Sequence, residues 1–331
     1  MRSVIAALAL LAAASVAAAQ SGYGSGNPPP QDPQDGNGYG TGGSSGSGGN
    51  GEYPAPKRKK PQQEEPGKPG KPEPIPEKPR EPLGGSLIRT CERPTNTWSA
   101  LVVGEGNIVV EAGVDFASTD TDQLDGNTFR IPALGRYGLS DSFEIILTGD
   151  LLINRSGESD DRGGEDIDAL GIGDIIIGTK WGLLSDKGIL PAIGSIALWK
   201  LPTADDDDGL GSGEGDLIFI TAFGKSFDNV MINANIGLAF ISDVSEHNRF
   251  LLRKIASVEV RVQFGDFTVF GEVGWLSDID EMGGTDTSAR VGAAYFFSEI
   301  IRIDASVRIG ISEDADDFGA SAGISILFGG L

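Results

Sequence analysis

Cysteine and histidine are almost absent from this sequence. Among its 331 residues, Cys91 is the only cysteine and His247 the only histidine. One cysteine cannot form an internal disulfide, and the two residues together cannot supply the usual zinc or iron–sulfur ligand sets, so we expect no cofactor. A lone histidine also lacks the partners of a catalytic triad, so the sequence does not indicate an enzyme. A rim protease that pairs His247 with Asp243 is the weaker alternative.

Long hydrophobic runs are also missing, apart from the one near the start. Residues 1–19 combine an early charge, an apolar run from Val4 and the small residues Ala17–Ala19, which is typical of a signal peptide cleaved before Gln20. No other segment has about 18 uninterrupted apolar residues, so no helix is expected to cross a membrane. The signal peptide predicts export from the cytoplasm.

Positive charge is scarce in the second part of the sequence. The formal net charge is −22, and residues 95–331 hold fifteen Lys and Arg against thirty-nine Asp and Glu, whereas residues 1–94 are nearly balanced. Proteins bind nucleic acid through basic groups that neutralise phosphates. We therefore expect no nucleic-acid partner.

Residues 20–94 show no apolar period. Residues 20–51 are rich in Gly and Ser, and residues 52–94 in Pro, Lys and Glu. Neither segment has enough apolar side chains to offset the entropy of an ordered chain, so both are predicted to be disordered. The basic cluster Lys57–Lys60 is expected to be a solvated part of this arm, and binding to the cell wall is the alternative.

Apolar and polar residues alternate through residues 95–331. Between 300 and 311, for example, Ile301 and Ile303 share one face and Arg302 and Asp304 the other. A period of two predicts a strand with one apolar face. Twelve strands are predicted, at 106–117, 127–138, 143–154, 172–183, 189–201, 216–226, 230–241, 249–264, 267–277, 287–297, 300–311 and 319–328. The expected fold class is all-β: an antiparallel up-and-down transmembrane β-barrel.

Short and long connections alternate between these strands. The short ones are 139–142, 184–188, 227–229, 265–266 and 298–299, and the long ones are 118–126, 155–171, 202–215, 242–248, 278–286 and 312–318. Alternation places all short turns on one rim, as in barrels of the bacterial outer membrane, where that rim is periplasmic. The N-terminal arm and the C-terminus are then expected in the periplasm. A soluble β-domain is the alternative, but it must bury or solvate rows of inward charges.

Charged residues on the inward faces are the candidate lumen residues. They are Arg130, Arg136, Glu144, Lys180, Arg253, Glu259, Arg261, Glu272, Arg290, Arg302, Asp304 and Arg308. In one interpretation they pair with one another inside the barrel. In the other they form an arginine-lined track for anionic or aromatic-acid solutes, because the guanidinium group matches a carboxylate.

Acidic residues gather in the long loops. The predicted extracellular acidic rim comprises Asp205, Asp206, Asp207, Asp208, Asp314, Asp316 and Asp317. Such a rim could enrich cations, bridge to lipopolysaccharide through divalent ions, or be a solvated loop surface. A calcium-binding loop with Gly209 at its sixth position would need carboxylates at Ala204 and Gly215, so no metal site is assigned.

Several short motifs resemble one protein family. They lie at 131–145, 171–181, 201–203 and 233–237, and read Ile-Pro-Ala-Leu-Gly-Arg-Tyr at the start of the first and Asn-Ala-Asn-Ile-Gly in the last. Over residues 127–331 the chain resembles the meta-pathway phenol-degradation family of outer-membrane β-barrel transporters. The resemblance implies a role in the uptake of aromatic compounds and implies no catalytic or ligand-binding residues.

The leading hypothesis is an outer-membrane channel or transporter for small solutes, with aromatic or anionic compounds as candidates. The barrel would contact outer-membrane lipid and lipopolysaccharide. Barrels of about eight strands are filled by side chains and those of about sixteen leave an aqueous pore, so twelve strands are compatible with a narrow pore or a plugged one. The alternative is a structural or adhesion barrel with a closed lumen and a periplasmic anchoring arm.

Overall fold

The computed structural model describes residues 90–120, 124–159, 167–243, 249–277 and 285–329, and these are mostly extended. The strands are β1 (Ile108–Asp120), β2 (Leu124–Ser140), β3 (Phe143–Ser159), β4 (Ile167–Gly171), β5 (Ile175–Leu184), β6 (Ala192–Leu201), β7 (Asp216–Phe227), β8 (Val230–Ser242), β9 (Phe250–Phe264), β10 (Phe267–Leu276), β11 (Asp286–Ser298), β12 (Ile301–Gly310) and β13 (Phe318–Phe328). No helix within these ranges is long and apolar enough to cross a membrane.

The strands close into a barrel. All pairings between them are antiparallel, and β1 pairs with both β2 and β13, which joins the first strand to the last. Together β4 and β5 occupy one position in the wall, because β3 pairs with β5 along one half of its length and with β4 along the other. The barrel therefore has twelve strands around its circumference, which confirms the predicted fold class.

The wall strand formed by β4 and β5 is interrupted. The sequence period predicts a strand at 172–183 after a loop at 155–171, whereas the structure breaks the strand at 172–174 and has β4 within the predicted loop. At the break the Gly173 N–H donates to the Asp150 carbonyl at 2.9 Å, and a Cβ on Gly173 would lie 3.0 Å from Asp150 Cβ. This close approach bends the chain against β3.

Side chains alternate between lumen and exterior, as the period predicts. On β12, for example, Arg302 and Asp304 are buried while Ile303 and Val307 are exposed. A wall with an apolar outer face and charges inside is typical of outer-membrane barrels. The exposed Lys254 precedes Ile255, which pairs with the last residue of β10.

The five connections 141–142, 185–191, 228–229, 265–266 and 299–300 lie at one end, which we call the tight-turn rim. The opposite end, which we call the long-loop rim, carries 202–215 and 311–317 together with the connections that extend beyond the described residues. Exposed aromatic rings lie near both rims: Tyr137, Trp181, Phe227, Phe264, Phe267, Tyr295 and Phe328 at the first, and Phe116, Phe129, Trp199, Phe250, Trp275 and Phe318 at the second. Such paired belts match the two membrane interfaces.

Candidate functional site

The barrel interior holds the segment Thr90–Gly106, which precedes β1 and which we call the plug. Near its two ends, Cys91 and Val103 pack in one buried cluster with Phe296 and Leu327. Those two wall residues lie at the tight-turn ends of β11 and β13. Both ends of the plug are therefore at the tight-turn rim.

The boundary predicted at residues 94 and 95 falls inside the plug. Residues 52–94 are predicted to be a disordered linker, but Thr90–Pro94 lie buried inside the barrel. The ordered part of the chain therefore includes residues from Thr90 onward. The physical reason is that charged wall residues bind the side chains and backbone of this segment.

Glu92 of the plug lies between two basic residues of the wall. Its Oε1 is 2.5 Å from Lys180 Nζ and 3.0 Å from Arg136 Nη1. Glu144 completes the group, with Oε1 3.3 Å from Arg136 Nη1 and 3.5 Å from Lys180 Nζ. All four side chains are buried, and breaking a buried ion pair leaves a costly uncompensated charge. The plug thus adds a third carboxylate to wall bases that already pair with wall acids.

Wall carboxylates also bind the plug backbone. Glu111 accepts hydrogen bonds from the N–H groups of Glu92 at 3.0 Å and Arg93 at 2.9 Å. Glu144 accepts one from the N–H of Val103 at 2.7 Å. Buried backbone N–H groups need acceptors, and an ionised acceptor makes the stronger bond. The outgoing and returning arms of the plug are therefore both fixed to the wall.

Arg93 of the plug packs against two glycines. Gly113 on β1 and Gly323 on β13 are directly paired, and a Cβ on either would overlap the Arg93 guanidinium. The guanidinium lies 3.6 Å from Asp304, and the Arg93 carbonyl accepts a hydrogen bond from Arg302 at 2.9 Å. The two glycines thus leave space for the Arg93 side chain, and Asp304 supplies a negative charge beside its guanidinium.

The tip of the plug is bound by polar side chains deep in the barrel. Glu272 accepts hydrogen bonds from the Asn96 N–H at 2.9 Å and the Thr97 hydroxyl at 3.0 Å. The Trp98 N–H donates to Asn235 Oδ1 at 2.7 Å, and Asn235 Nδ2 donates to the Trp98 carbonyl at 2.9 Å. These bonds replace the partners that the tip would find in water.

One side of the lumen is largely apolar. Trp98 and Ala100 pack with inward-facing residues of β2, β3 and β5–β8: Leu134, Ile146, Ile176, Ala192, Ile196, Leu198, Ile218, Ile220, Ala222, Ala239 and Ile241. A Cβ on Gly194 would lie 2.7 Å from the Ala100 carbonyl oxygen. The predicted strand 189–201 is therefore apolar on both faces because its inner face contacts the plug.

A cavity of about 110 Å³ lies between the tip of the plug and the wall. Its basic side is formed by arginines 130, 290 and 308, and its apolar side by isoleucines 218, 220 and 255, while Asn96 and Trp98 close it from the plug. Arg130 is 3.4 Å from Asp115, and Arg290 Nε is 3.8 Å from Glu272. The cavity therefore presents arginines opposite an apolar surface, with Asp115 and Asp286 also in its lining.

The structure places the twelve predicted lumen residues on the inner face of the wall. Those bound to the plug are Arg136, Glu144, Lys180, Arg261, Glu272, Arg302 and Asp304. Those lining the cavity without bonding the plug are Arg130, Arg290 and Arg308. Glu259 pairs with Arg261 at 2.7 Å, and Arg253 donates to the Ser277 carbonyl at 3.0 Å. Most of these charged residues thus contact the plug. Neither of the two interpretations of the sequence, pairing within the wall or an arginine-lined track for solutes, included that contact.

The sequence pattern missed the plug residues themselves, Glu92, Arg93 and Trp98 among them. A signal was present, because Trp98 and the apolar run Leu101–Val103 interrupt an otherwise polar arm. This apolar stretch is too short to indicate which part of the protein it packs against. The location inside a barrel follows only from charge complementarity with strands that lie far away in sequence.

The predicted acidic rim is not one cluster. Asp205–Asp208 and Asp314 are exposed, whereas Asp316 is buried, accepts from the Thr119 hydroxyl at 2.6 Å and pairs with Arg308. Asp317 accepts from the Asp120 N–H at 2.7 Å. Within the described ranges no three potential ligands group around a metal position, and His247 lies outside those ranges.

The sequence matches the family model described as "Putative MetA-pathway of phenol degradation" over residues 92–328. The chain belongs to this family. The family match confirms the resemblance seen in the short motifs, and its first matched residue is Glu92 of the plug. No curated protein matches the sequence.

A solved outer membrane channel shares the barrel fold of this family member. An outer membrane channel from Pseudomonas putida F1 is 15% identical with a TM-score of 0.50, and the match covers 69% of this chain and 98% of that one. The NanC porin is 8% identical (TM-score 0.44; 66% and 98% covered), and the CymD monoaromatic hydrocarbon channel is 12% identical (TM-score 0.38; 69% and 90% covered). With the family match and the apolar outer face, the fold identifies an outer-membrane β-barrel.

Proposed function

We propose that this barrel is an outer-membrane channel for small solutes and that aromatic or anionic compounds are among them. The observation that carries the proposal is the cavity beside the plug tip, which has arginines on one side and isoleucines on the other. Ligand sites are concave, largely apolar and fitted with a few oriented polar groups. An aromatic carboxylate could place its charge near Arg290 and its ring against Ile220.

The orientation follows from the rims. In outer-membrane barrels the short turns face the periplasm and the longer loops face outward. The plug then closes the periplasmic half, and the cavity faces solutes that arrive from outside. We expect this orientation to leave the N-terminal arm and the C-terminus on the periplasmic side and the acidic loops beside lipopolysaccharide, and we propose the anionic cell wall as a partner of Lys57–Lys60.

Planar-bilayer recording of the purified full-length chain tests the channel. We expect discrete conductance steps with a preference for anions, measured as the reversal potential in a salt gradient. Arg290→Gln should weaken that preference, whereas Arg249→Gln, which removes an equal charge from an exposed rim position, should change it less. Channel function is ruled out if chains whose Cys91 is accessible to a water-soluble maleimide, and whose plug is therefore out, pass no current.

One observation favours a second function, a structural barrel with a permanently closed lumen. The plug satisfies charges on many wall strands, as a fixed core would. Such a barrel predicts that Cys91 stays unlabelled under all conditions in which the barrel is folded. Deletion of the gene would then weaken the envelope without slowing the uptake of any solute.

A further inference from the structure

Both ends of the plug leave the lumen at the same rim. Cys91 and Val103 share one cluster there, and the chain continues from Val103 through Asn107, whose side chain donates to the Val103 carbonyl at 2.9 Å, into β1. The deepest part is the loop around Asn96–Trp98. A loop inserted in this way can be withdrawn toward the tight-turn rim without threading the chain through the barrel.

The wall charges that hold the plug also balance without it. Arg136 lies 3.3 Å from both Glu111 and Glu144, and Lys180 lies 3.5 Å from Glu144. When Glu92 leaves, two bases and two acids remain side by side, and water can enter to solvate them. These wall residues therefore keep partners in an empty lumen, as the walls of a binding site do and a fixed hydrophobic core does not.

We propose that the tight-turn half of the lumen is a reversible peptide-binding site whose ligand is the chain's own plug, and that the pore opens when the plug leaves. The ligand chemistry is a neighbouring acid and arginine, Glu92 and Arg93, followed by an apolar tip at Trp98. The site recognises the acid with Arg136 and Lys180 and the arginine with the glycine pair and Asp304. This inference rests on the proposed channel function for its effect on current, and its docking step can be measured separately.

Gly194→Ala is the variant that tests docking. The three atoms nearest to a Cβ on Gly194 all belong to Ala100 of the plug, at 2.7–3.2 Å, so the added methyl group meets the plug backbone. Gly271→Ala is the matched control, because a Cβ there approaches only the Arg290 carbonyl oxygen, at 3.9 Å. Both variants keep the charges of the wall, and heat-modified migration in gels checks that each barrel is folded.

The native Cys91 reports the position of the plug. Burial, with Glu111 next, raises the pKa of its thiol to about 11, and only the thiolate reacts quickly with maleimides. A withdrawn plug exposes a thiol with an ordinary pKa. We expect Gly194→Ala to raise the rate of Cys91 labelling by about tenfold, the scale of an overpacked contact, and Gly271→Ala to leave it unchanged. Equal labelling of both variants overturns the proposal.

Current recorded on the same samples separates the two claims. Increased labelling with increased current supports both the docking site and the channel. Increased labelling without current supports reversible docking and overturns the channel. Increased current without increased labelling overturns the plug as the gate.

A second measurement uses the wild-type chain and needs no substitution. A polyethylene-glycol maleimide on Cys91 is too large for the closed lumen, so modified chains cannot redock the plug. The steady current should rise in proportion to the modified fraction. Fully modified chains that carry no more current than unmodified ones contradict the proposal.

Discussion

Glu92 neutralises two wall bases at once, so the docking of the plug depends on this one side chain more than on its neighbours. Its carboxylate lies within 3.0 Å of both Lys180 and Arg136, and its backbone N–H is bound by Glu111. By contrast, Glu105 near the end of the plug is exposed. The two residues therefore form a natural pair for comparison within one segment.

Glu92→Gln should weaken plug docking by about 3 kcal/mol, because the wall bases lose a buried partner. Glu105→Gln should change it by less than about 1 kcal/mol, as expected for an exposed charge. The change in free energy is obtained from the ratio of the rates at which Cys91 reacts with maleimide in the variant and in the wild type. If the two variants label equally, the ion pairs at Glu92 do not hold the plug.

A second residue-scale prediction concerns pH at the tight-turn rim. Partial burial opposes ionisation of Asp186 in the 185–191 connection, but hydrogen bonds from Lys225 and the Ser226 N–H outweigh it and lower the pKa. A carboxyl group with a lowered pKa in the folded state stabilises it above the unfolded pKa of about 3.9, and that stability is lost as the pH falls through the folded pKa. The connection should therefore loosen on acidification.

Hydrogen exchange of the 185–191 amides as a function of pH checks this. After correction for the intrinsic rate, protection should fall in acid in the wild type. In Asp186→Asn the protection should be lower at neutral pH and independent of acidification. The assignment of this ion pair is wrong if the variant and the wild type share one pH profile.

The side-chain period predicted which residues face the lumen, because lipid and lumen impose opposite requirements on alternate positions. It predicted inward positions for Arg136 and Lys180, and both side chains are buried in the structure. It could not identify Glu92 as their partner, since that residue lies in a segment without a period. The same alternation separates neighbouring rings on β11, where Tyr295 and Phe297 are exposed and Phe296 between them is buried near Cys91.

At the scale of elements, the long connection 202–215 folds onto the interrupted wall strand. Leu210 is buried with Ile153 and Ala169, beside the break between β4 and β5. Asp174 at the break accepts hydrogen bonds from the N–H groups of Thr203 and Ala204 at 2.9 Å each. The acidic run Asp205–Asp208 is therefore carried by a connection that is itself fixed to the wall.

Leu210→Ala should release this connection. Loss of the buried side chain costs about 2–3 kcal/mol, which should expose residues 202–215 to limited proteolysis in intact membranes. Asp207→Ala removes an exposed side chain of the same connection and should leave the cleavage rate nearly unchanged. Equal cleavage of the two variants would show that Leu210 does not anchor the connection.

The number of wall strands and the alternation of connection lengths were predictable, because each strand carries its own period and each turn its own polar residues. The break at 172–174 was not, since the period continues across it and only the approach of Gly173 to Asp150 interrupts the strand. The sequence also could not predict which face of β6 points into the barrel. Its outer face contacts lipid and its inner face contacts the plug, so both faces carry apolar residues.

At the scale of the whole molecule, the plug fills part of a barrel whose interior is charged. Its contacts reach wall strands all around the barrel, from Glu111 on β1 to Arg302 on β12. The outer face meets lipid whether the plug is in or out. We therefore expect two states of the protein that differ in the lumen and not in the barrel.

A disulfide across the plug and the wall tests this account most directly. Leu327 packs in the same buried cluster as the single native cysteine, Cys91, so Leu327→Cys should crosslink the plug to β13 on oxidation. Leu327→Ser, which cannot crosslink, is the matched control.

The measurement is single-channel current through the Leu327→Cys chain before and after reduction. The account predicts that the oxidised chain stays closed, that a reductant restores openings, and that Leu327→Ser is insensitive to the redox state. An oxidised chain that is fully crosslinked, as shown by its intact mass, yet carries the same current as the reduced chain would contradict the account.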